Sequence, residues 1–154
     1  MSMLKTWLKK NPIIVYWYRL VRDEIDLMRI KSQYTPFGFS LATRSIMGNQ
    51  GDLMAKGMFE PEETTAILKY ADRFDVFVDV GANIGYFSCL LQSRGKHVIA
   101  IEPIKRNLDY LYYNLMVNHF NNVEVWPVAV GSSNGILPLY GDATGASFIK
   151  GWGG

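Results

Sequence analysis

Cysteine is nearly absent from this sequence. Cys89 stands alone among 154 residues, which excludes an internal disulfide framework and any zinc site built on several thiolates. Long apolar runs are missing too: the longest near the start, Pro12 to Tyr18, falls far short of the ~20 residues of a membrane span, and no small-residue cleavage site follows it. Charge of one sign is not in excess. Sixteen Lys and Arg against 14 Asp and Glu leave +2, which argues against a nucleic-acid partner held by a strong basic field. No His/Asp/Glu cluster has ligand spacing, so no metal is expected. What is present, 49% hydrophobic and 19% charged residues, suits one small soluble domain, with the cytoplasm as the expected compartment.

Residues 1–33 differ in composition from the rest, placing Lys5, Lys9, Lys10, Arg19, Arg22, Arg29 and Lys31 among Trp7, Tyr16, Trp17 and Tyr18. They read as one or two helices broken near Asn11-Pro12, because proline disfavours helix at the residue before it. A basic, aromatic helix can lie on a membrane surface. Asp23, Glu24 and Asp26 interrupt the positive face, however, and favour a helix packed on the domain with its basic side solvated. Residues 34–59 read as turns and short strands, with breakers at Pro36-Phe37-Gly38 and Gly48-Asn49-Gln50-Gly51. A helix then starts at Pro61, with Glu62 and Glu63 on the positive end of its dipole and Ala66, Ile67, Tyr70 and Ala71 as its apolar stripe.

From residue 76 the pattern alternates. Val76 to Val80 is a β-branched strand, and Tyr86 to Gln92 a helix burying Tyr86, Phe87, Leu90 and Leu91. Val98 to Ile101 is a second strand. Lys105 to His119 is a helix with Leu108, Leu111, Tyr112, Leu115 and His119 at helical spacing, and Val123 to Val130 closes the series. Short apolar strands alternating with amphipathic helices imply an α/β fold with a parallel sheet and right-handed crossovers. Pro127, inside the third strand, and Pro138, inside a possible strand from Ile136 to Tyr140, belong near a sheet edge, since proline cannot serve a central ladder.

The loop Asp79-Val80-Gly81-Ala82-Asn83-Ile84-Gly85 joins the first of these strands to its helix. Glycine there permits positive φ and close approach of a ligand, and a cofactor site is expected in the crevice. A dinucleotide fingerprint would place glycine at 81, 83 and 86; Asn83 and Tyr86 break it, and no Gly-Lys-Ser/Thr follows for a Walker loop. The acid two residues before Gly81 would repel a pyrophosphate and hold an ammonium group. Glu102, ending the second strand in Ala100-Ile101-Glu102-Pro103, is placed to accept from both hydroxyls of a ribose. Amino group at one strand end and ribose at the next describe S-adenosyl-L-methionine. An NAD-dependent oxidoreductase remains the rival on Glu102 and the general fold.

These segments resemble the FkbM-type methyltransferases: Val76 to Ser88 (VFVDVGANIGYFS), His97 to Pro103 (HVIAIEP), the Asn107, Leu111, Asn114, Asn118 spacing and Pro127-Val128-Ala129-Val130. Thr35-Pro36-Phe37-Gly38, Gly57-Met58-Phe59-Glu60-Pro61 and Gly145-Ala146-Ser147 extend the likeness over residues 34–154, following the helical segment 1–33. The resemblance implies a class I, Rossmann-like methyltransferase sheet and S-adenosyl-L-methionine as cofactor. It also implies transfer to a hydroxyl of a sugar or secondary metabolite. By the same resemblance Asp79, Gly81, Asn83 and Gly85 hold the methionine part and Glu102 the ribose.

Family members continue with further strands, so only strands 1–3 of the sheet are expected here, in spatial order 3-2-1. Val76 to Val80 would then present an unpaired apolar edge. A truncated, inactive cofactor-binding fragment is therefore the alternative to an active enzyme. His97 and His119 should lie at the end of the sheet away from the crevice, and Cys89 reads as packing. No catalytic base is identified. Glu60 suits either helix capping or a cofactor contact, and Tyr34, Phe37 and Ser147 are candidates for an acceptor pocket.

Overall fold

The computed structural model describes residues 11–28, 30–43, 49–140 and 147. Two compact units divide the chain, Met1–Ile30 and Lys31–Gly154. In the first, helix α1 (Pro12–Met28) begins at the proline, whose missing N–H costs nothing in a first turn. The Asn11 carbonyl accepts from Val15 N–H at 3.0 Å, and its Oδ1 lies 3.4 Å from Ile14 N. Lys5, Lys9, Lys10 and Arg29 lie outside the described residues.

The second unit opens with an antiparallel hairpin of β1 (Ser32–Tyr34) and β2 (Ser40–Ala42). Its turn is closed by Thr35, whose N–H and Oγ1 both donate to the Phe39 carbonyl, at 2.8 and 2.9 Å. The stretch read as a breaker is a helix instead, α2 (Asn49–Ala55). Gly51 serves packing there: a Cβ on it would sit 2.9 Å from Thr43 Oγ1. Helix α3 (Pro61–Tyr70) starts where the proline and acids predict, but its expected stripe is not buried as a whole. Ala66 and Tyr70 are exposed and Ile67 half-buried; Thr64 is the buried residue, and Ala71 is buried in the single 3-10 turn that follows.

The strands β3 (Val76–Val80), β4 (His97–Ile101) and β5 (Val123–Trp126) form a parallel sheet in the order β3-β4-β5, in register Val78↔Ile99↔Glu124. Helices α4 (Tyr86–Gln92) and α5 (Lys105–Val117) supply the crossovers. This is the expected α/β class and strand order. Against α4 pack β3 and β4; the core gathers Leu90, Leu91, Val98 and Leu111, all fully buried. Each such side chain contributes about 1.5–3 kcal/mol by leaving water. On the other face Val76, Val78 and Val80 are 49, 51 and 62% exposed, on a strand with no second neighbour among the described residues.

Three boundaries differ from expectation. Strand β5 stops at Trp126, immediately before Pro127, which has no N–H to extend the ladder. Residues 136–140 form no strand; only an isolated bridge joins Tyr140 to Ser147. Helix α5 ends at Val117, leaving Tyr112 half exposed and His119 in a left-handed turn at φ +57°.

Two asparagines, Asn114 in α5 and Asn118 just past its end, tie the hairpin to this layer. Asn114 accepts from Ala42 N–H at 2.7 Å and donates to the Ala42 and Ile84 carbonyls at 3.1 and 2.8 Å. Asn118 accepts from Ser40 N–H and donates to the Ser40 carbonyl, both at 2.6 Å. One helical turn apart, the two amides act as a third strand along β2.

Candidate functional site

A cavity of about 540 Å³ opens at the carboxyl ends of β3 and β4, lined by Asp79, Gly81, Asn83 and Glu102 from the strand tips and by Glu60 and Ser147 from elsewhere in the unit. Its size falls within the range of small-ligand clefts. Four of the five predicted cofactor residues meet here. Gly85 does not line it. It caps α4 at φ +86°, and a Cβ would come 2.4 Å from Leu111 Cδ1, so this glycine serves helix packing.

Asp79 is buried, and its Oδ2 accepts from Ser88 Oγ at 2.6 Å. Burial pushes its carboxyl above the ordinary aspartate range; the hydrogen bonds from Ser88 oppose this and the nearby Glu102 adds to it. A cation arriving in the cavity would relieve that penalty, because opposite charge favours the ionised form. Ser88, nine residues beyond Asp79 on the first turn of α4, is a partner the sequence reading missed. Its signal was a hydroxyl facing back toward the strand tip.

Glu102 is held more tightly. Its Oε2 accepts from Asn83 N–H at 2.9 Å, and its Oε1 from Ile104 N–H at 2.9 Å and Asn107 Nδ2 at 3.1 Å. Asn107, buried in the first turn of α5, is the second missed residue and lines the same cavity.

Four N–H groups of the glycine loop are bonded to the protein itself. Gly81 and Ala82 donate to the Ile101 carbonyl at 2.8 and 3.0 Å, Asn83 to Glu102, and Gly85 to the Ala82 carbonyl at 2.8 Å. A pyrophosphate needs such donors unspent. This cavity offers acceptors: the carboxylates of Asp79, Glu102 and Glu60 and the amide of Asn83, whose left-handed backbone (φ +51°) carries the turn.

With that geometry in place, the comparison with known families is direct. Residues 79–152 match the methyltransferase FkbM domain. The matched segment takes in the glycine loop, both acids and the two crossover helices of the sheet. An uncharacterized protein of Methanocaldococcus jannaschii is 37% identical over 60 residues, 39% of this chain and 23% of its own length. A Pyrococcus horikoshii chain solved under a provisional transferase name aligns at 20% identity and TM-score 0.47, over 65% of this chain and 36% of its own. The chain therefore matches under a quarter of the first relative's length and just over a third of the second's.

The remaining candidates separate cleanly. Glu60 lines the cavity and sits at the start of α3 at φ +40° without a side-chain cap, so the capping role expected of it is not made. Desolvation, then the neighbouring Glu63, push its carboxyl up. Ser147 lines the cavity, whereas Tyr34 is 74% exposed and Phe37 packs under Gly57; neither lines the cavity. His97 opens β4 at the amino end, 2.9 Å from Asn122 Oδ1 and 3.2 Å from Glu124 Oε1, and His119 is exposed beyond α5. Cys89 is fully buried, and burial pushes its thiol up strongly, as a packing residue requires. Among the described residues no group of His, Cys, Asp and Glu is arranged for a metal ion, and no helix is long and apolar enough to cross a membrane.

Proposed function

We propose that this chain binds S-adenosyl-L-methionine and forms the cofactor-binding part of a cytoplasmic methyltransferase acting on a hydroxyl of a sugar or another small molecule. The observation that carries this reading is the inventory of the loop: the N–H groups of Gly81, Ala82, Asn83 and Gly85 are internally bonded, and two buried carboxylates face the cavity instead. A ligand with an ammonium group, a sugar diol and no phosphate matches that acceptor-rich lining. Asp79 would hold the ammonium group and Glu102 the sugar. Ile104 and Val128, which line the same cavity, give apolar surface for a base. When bound, the cofactor supplies an electrophilic methyl group. The work of the chain is to fix its orientation, and alignment of this kind can lower a barrier by ~7–11 kcal/mol once an acceptor hydroxyl is held in line.

The test is thermal unfolding of the full chain with millimolar S-adenosylhomocysteine or NADH. S-adenosylhomocysteine should raise Tm, since saturation at a hundredfold over Kd stabilises by ~2.7 kcal/mol, and NADH should not. A folded chain that ignores the first ligand, or responds only to NADH, overturns the reading. Transfer of a labelled methyl group to a panel of hydroxylated acceptors then separates an active enzyme from a binding fragment.

A further inference from the structure

Helix α1 carries an apolar surface that its own turns cannot bury. Ile13, Trp17 and Val21 follow one another at every fourth residue along one side and are 67, 61 and 55% exposed. Tyr16 and Leu20, also exposed, widen the stripe on one flank, and Tyr18 extends it on the other. Successive helical residues lie about 100° apart, so the exposed run Tyr16-Trp17-Tyr18 spreads over more than half the circumference. A protein groove takes a narrower stripe, read at every third or fourth residue. A lipid boundary takes a broad arc, and Trp and Tyr, apolar in body and polar at the tip, settle at headgroup depth.

Charge is divided along the chain to match. Residues 1–22 hold five Lys and Arg and no acid; Asp23, Glu24 and Asp26 all follow the aromatic run. Residues 1–31 hold seven basic against three acidic side chains, whereas residues 32–154 hold nine against 11. The positive excess therefore belongs to the segment that bears the apolar arc, the pairing that suits an anionic bilayer. At 1.5 Å per residue the 17 residues of α1 reach about 25 Å, short of the ~30 Å hydrocarbon core, so the helix can lie along a bilayer and not cross it.

We infer that α1 lies in the plane of an anionic lipid surface, with Ile13, Trp17, Leu20 and Val21 turned into it and the basic excess of residues 1–31 supplying the attraction. The inference does not depend on the cofactor reading above.

The experiment is flotation of the full chain with vesicles of phosphatidylcholine alone and of phosphatidylcholine with about one third phosphatidylglycerol. The anionic vesicles should hold the chain about tenfold or more tightly, and molar salt should release most of it, because the Debye length falls to ~3 Å. Trp17→Gln with Val21→Gln keeps helix propensity and removes two apolar anchors. It should bind the anionic vesicles about tenfold or more weakly, with Tm and helix content unchanged. Lys9→Gln with Lys10→Gln should also cost about tenfold on the anionic vesicles, and nothing on phosphatidylcholine. A chain that ignores the anionic vesicles, or floats equally with both kinds, overturns the inference. So does binding that survives Trp17→Gln with Val21→Gln. A lipid-free dimer, seen by light scattering and dissolved by that double variant, would make the stripe a contact between copies and likewise overturns it. Should the double variant not fold, the two vesicle types and the lysine variant still decide.

Discussion

Replacing Asp79 by asparagine separates what this carboxylate does for the fold from what it does for a ligand. Without ligand, Asp79 is ionised at a cost: burial raises its pKa and Glu102 raises it further, against the hydrogen bonds from Ser88. A raised folded-state pKa means that the fold binds a proton more readily than the unfolded chain. The associated stability is fully present below the ordinary aspartate value and is lost as pH climbs through the folded value. Asparagine keeps an acceptor for Ser88 Oγ and carries no charge. Asp79→Asn should therefore be at least as stable as the parent at pH 8, by ~1.4 kcal/mol for each unit of raised pKa, and should lose that advantage toward pH 3. Ligand binding should move the other way. Loss of a charge-assisted bond to an ammonium group costs ~1.5–3 kcal/mol, or roughly 10- to 150-fold in Kd for S-adenosylhomocysteine. In the parent, affinity should rise with pH through the acidic range as Asp79 gives up its proton, and the variant should lack that dependence. Urea melts and calorimetric titrations at several pH values measure both arms. A variant clearly less stable at pH 8, with unchanged affinity, would show that Asp79 merely anchors Ser88 and would refute the reasoning.

Other substitutions test the scaffold. Asn114→Ala strips three hydrogen bonds from buried backbone groups of Ala42 and Ile84 and should cost ~3–5 kcal/mol in a urea melt, near the upper end for single changes. Gly85→Ala combines a left-handed backbone with a Cβ 2.4 Å from Leu111 and should cost ~2–4 kcal/mol by the same assay, showing this glycine to be a packing residue. Cys89, fully buried with its thiol pushed up, should resist a thiol reagent in the native chain and react at the rate of unfolding once urea is added.

The sequence made some features legible because their physics is local. Val76–Val80 and His97–Ile101 are β-branched, apolar and too short for helices, so the parallel sheet could be read directly, while its order came from the family resemblance. The acids at 79 and 102 were legible because a carboxylate at a strand tip has few other uses. The one spacing D-x-G-x-x-x-G holds glycines in two settings that only the packing tells apart: Gly81 lines the cavity, while Gly85 makes room for Leu111. Gly51 looked like a breaker because its reason for being glycine, the side chain of Thr43, lies outside its own helix. Asn114 and Asn118 showed only a spacing; their partners on β2 are 72 and 78 residues away, beyond any local pattern. The exposed side of α3 likewise followed from what packs nearby, not from its own periodicity.

The most direct measurement is a crystal structure of the chain with S-adenosylhomocysteine. The account requires the amino group of the aminoacyl tail against Asp79 and the sugar hydroxyls on Glu102. Electron density that put the adenosyl sugar away from Glu102, or the tail away from Asp79, would contradict it.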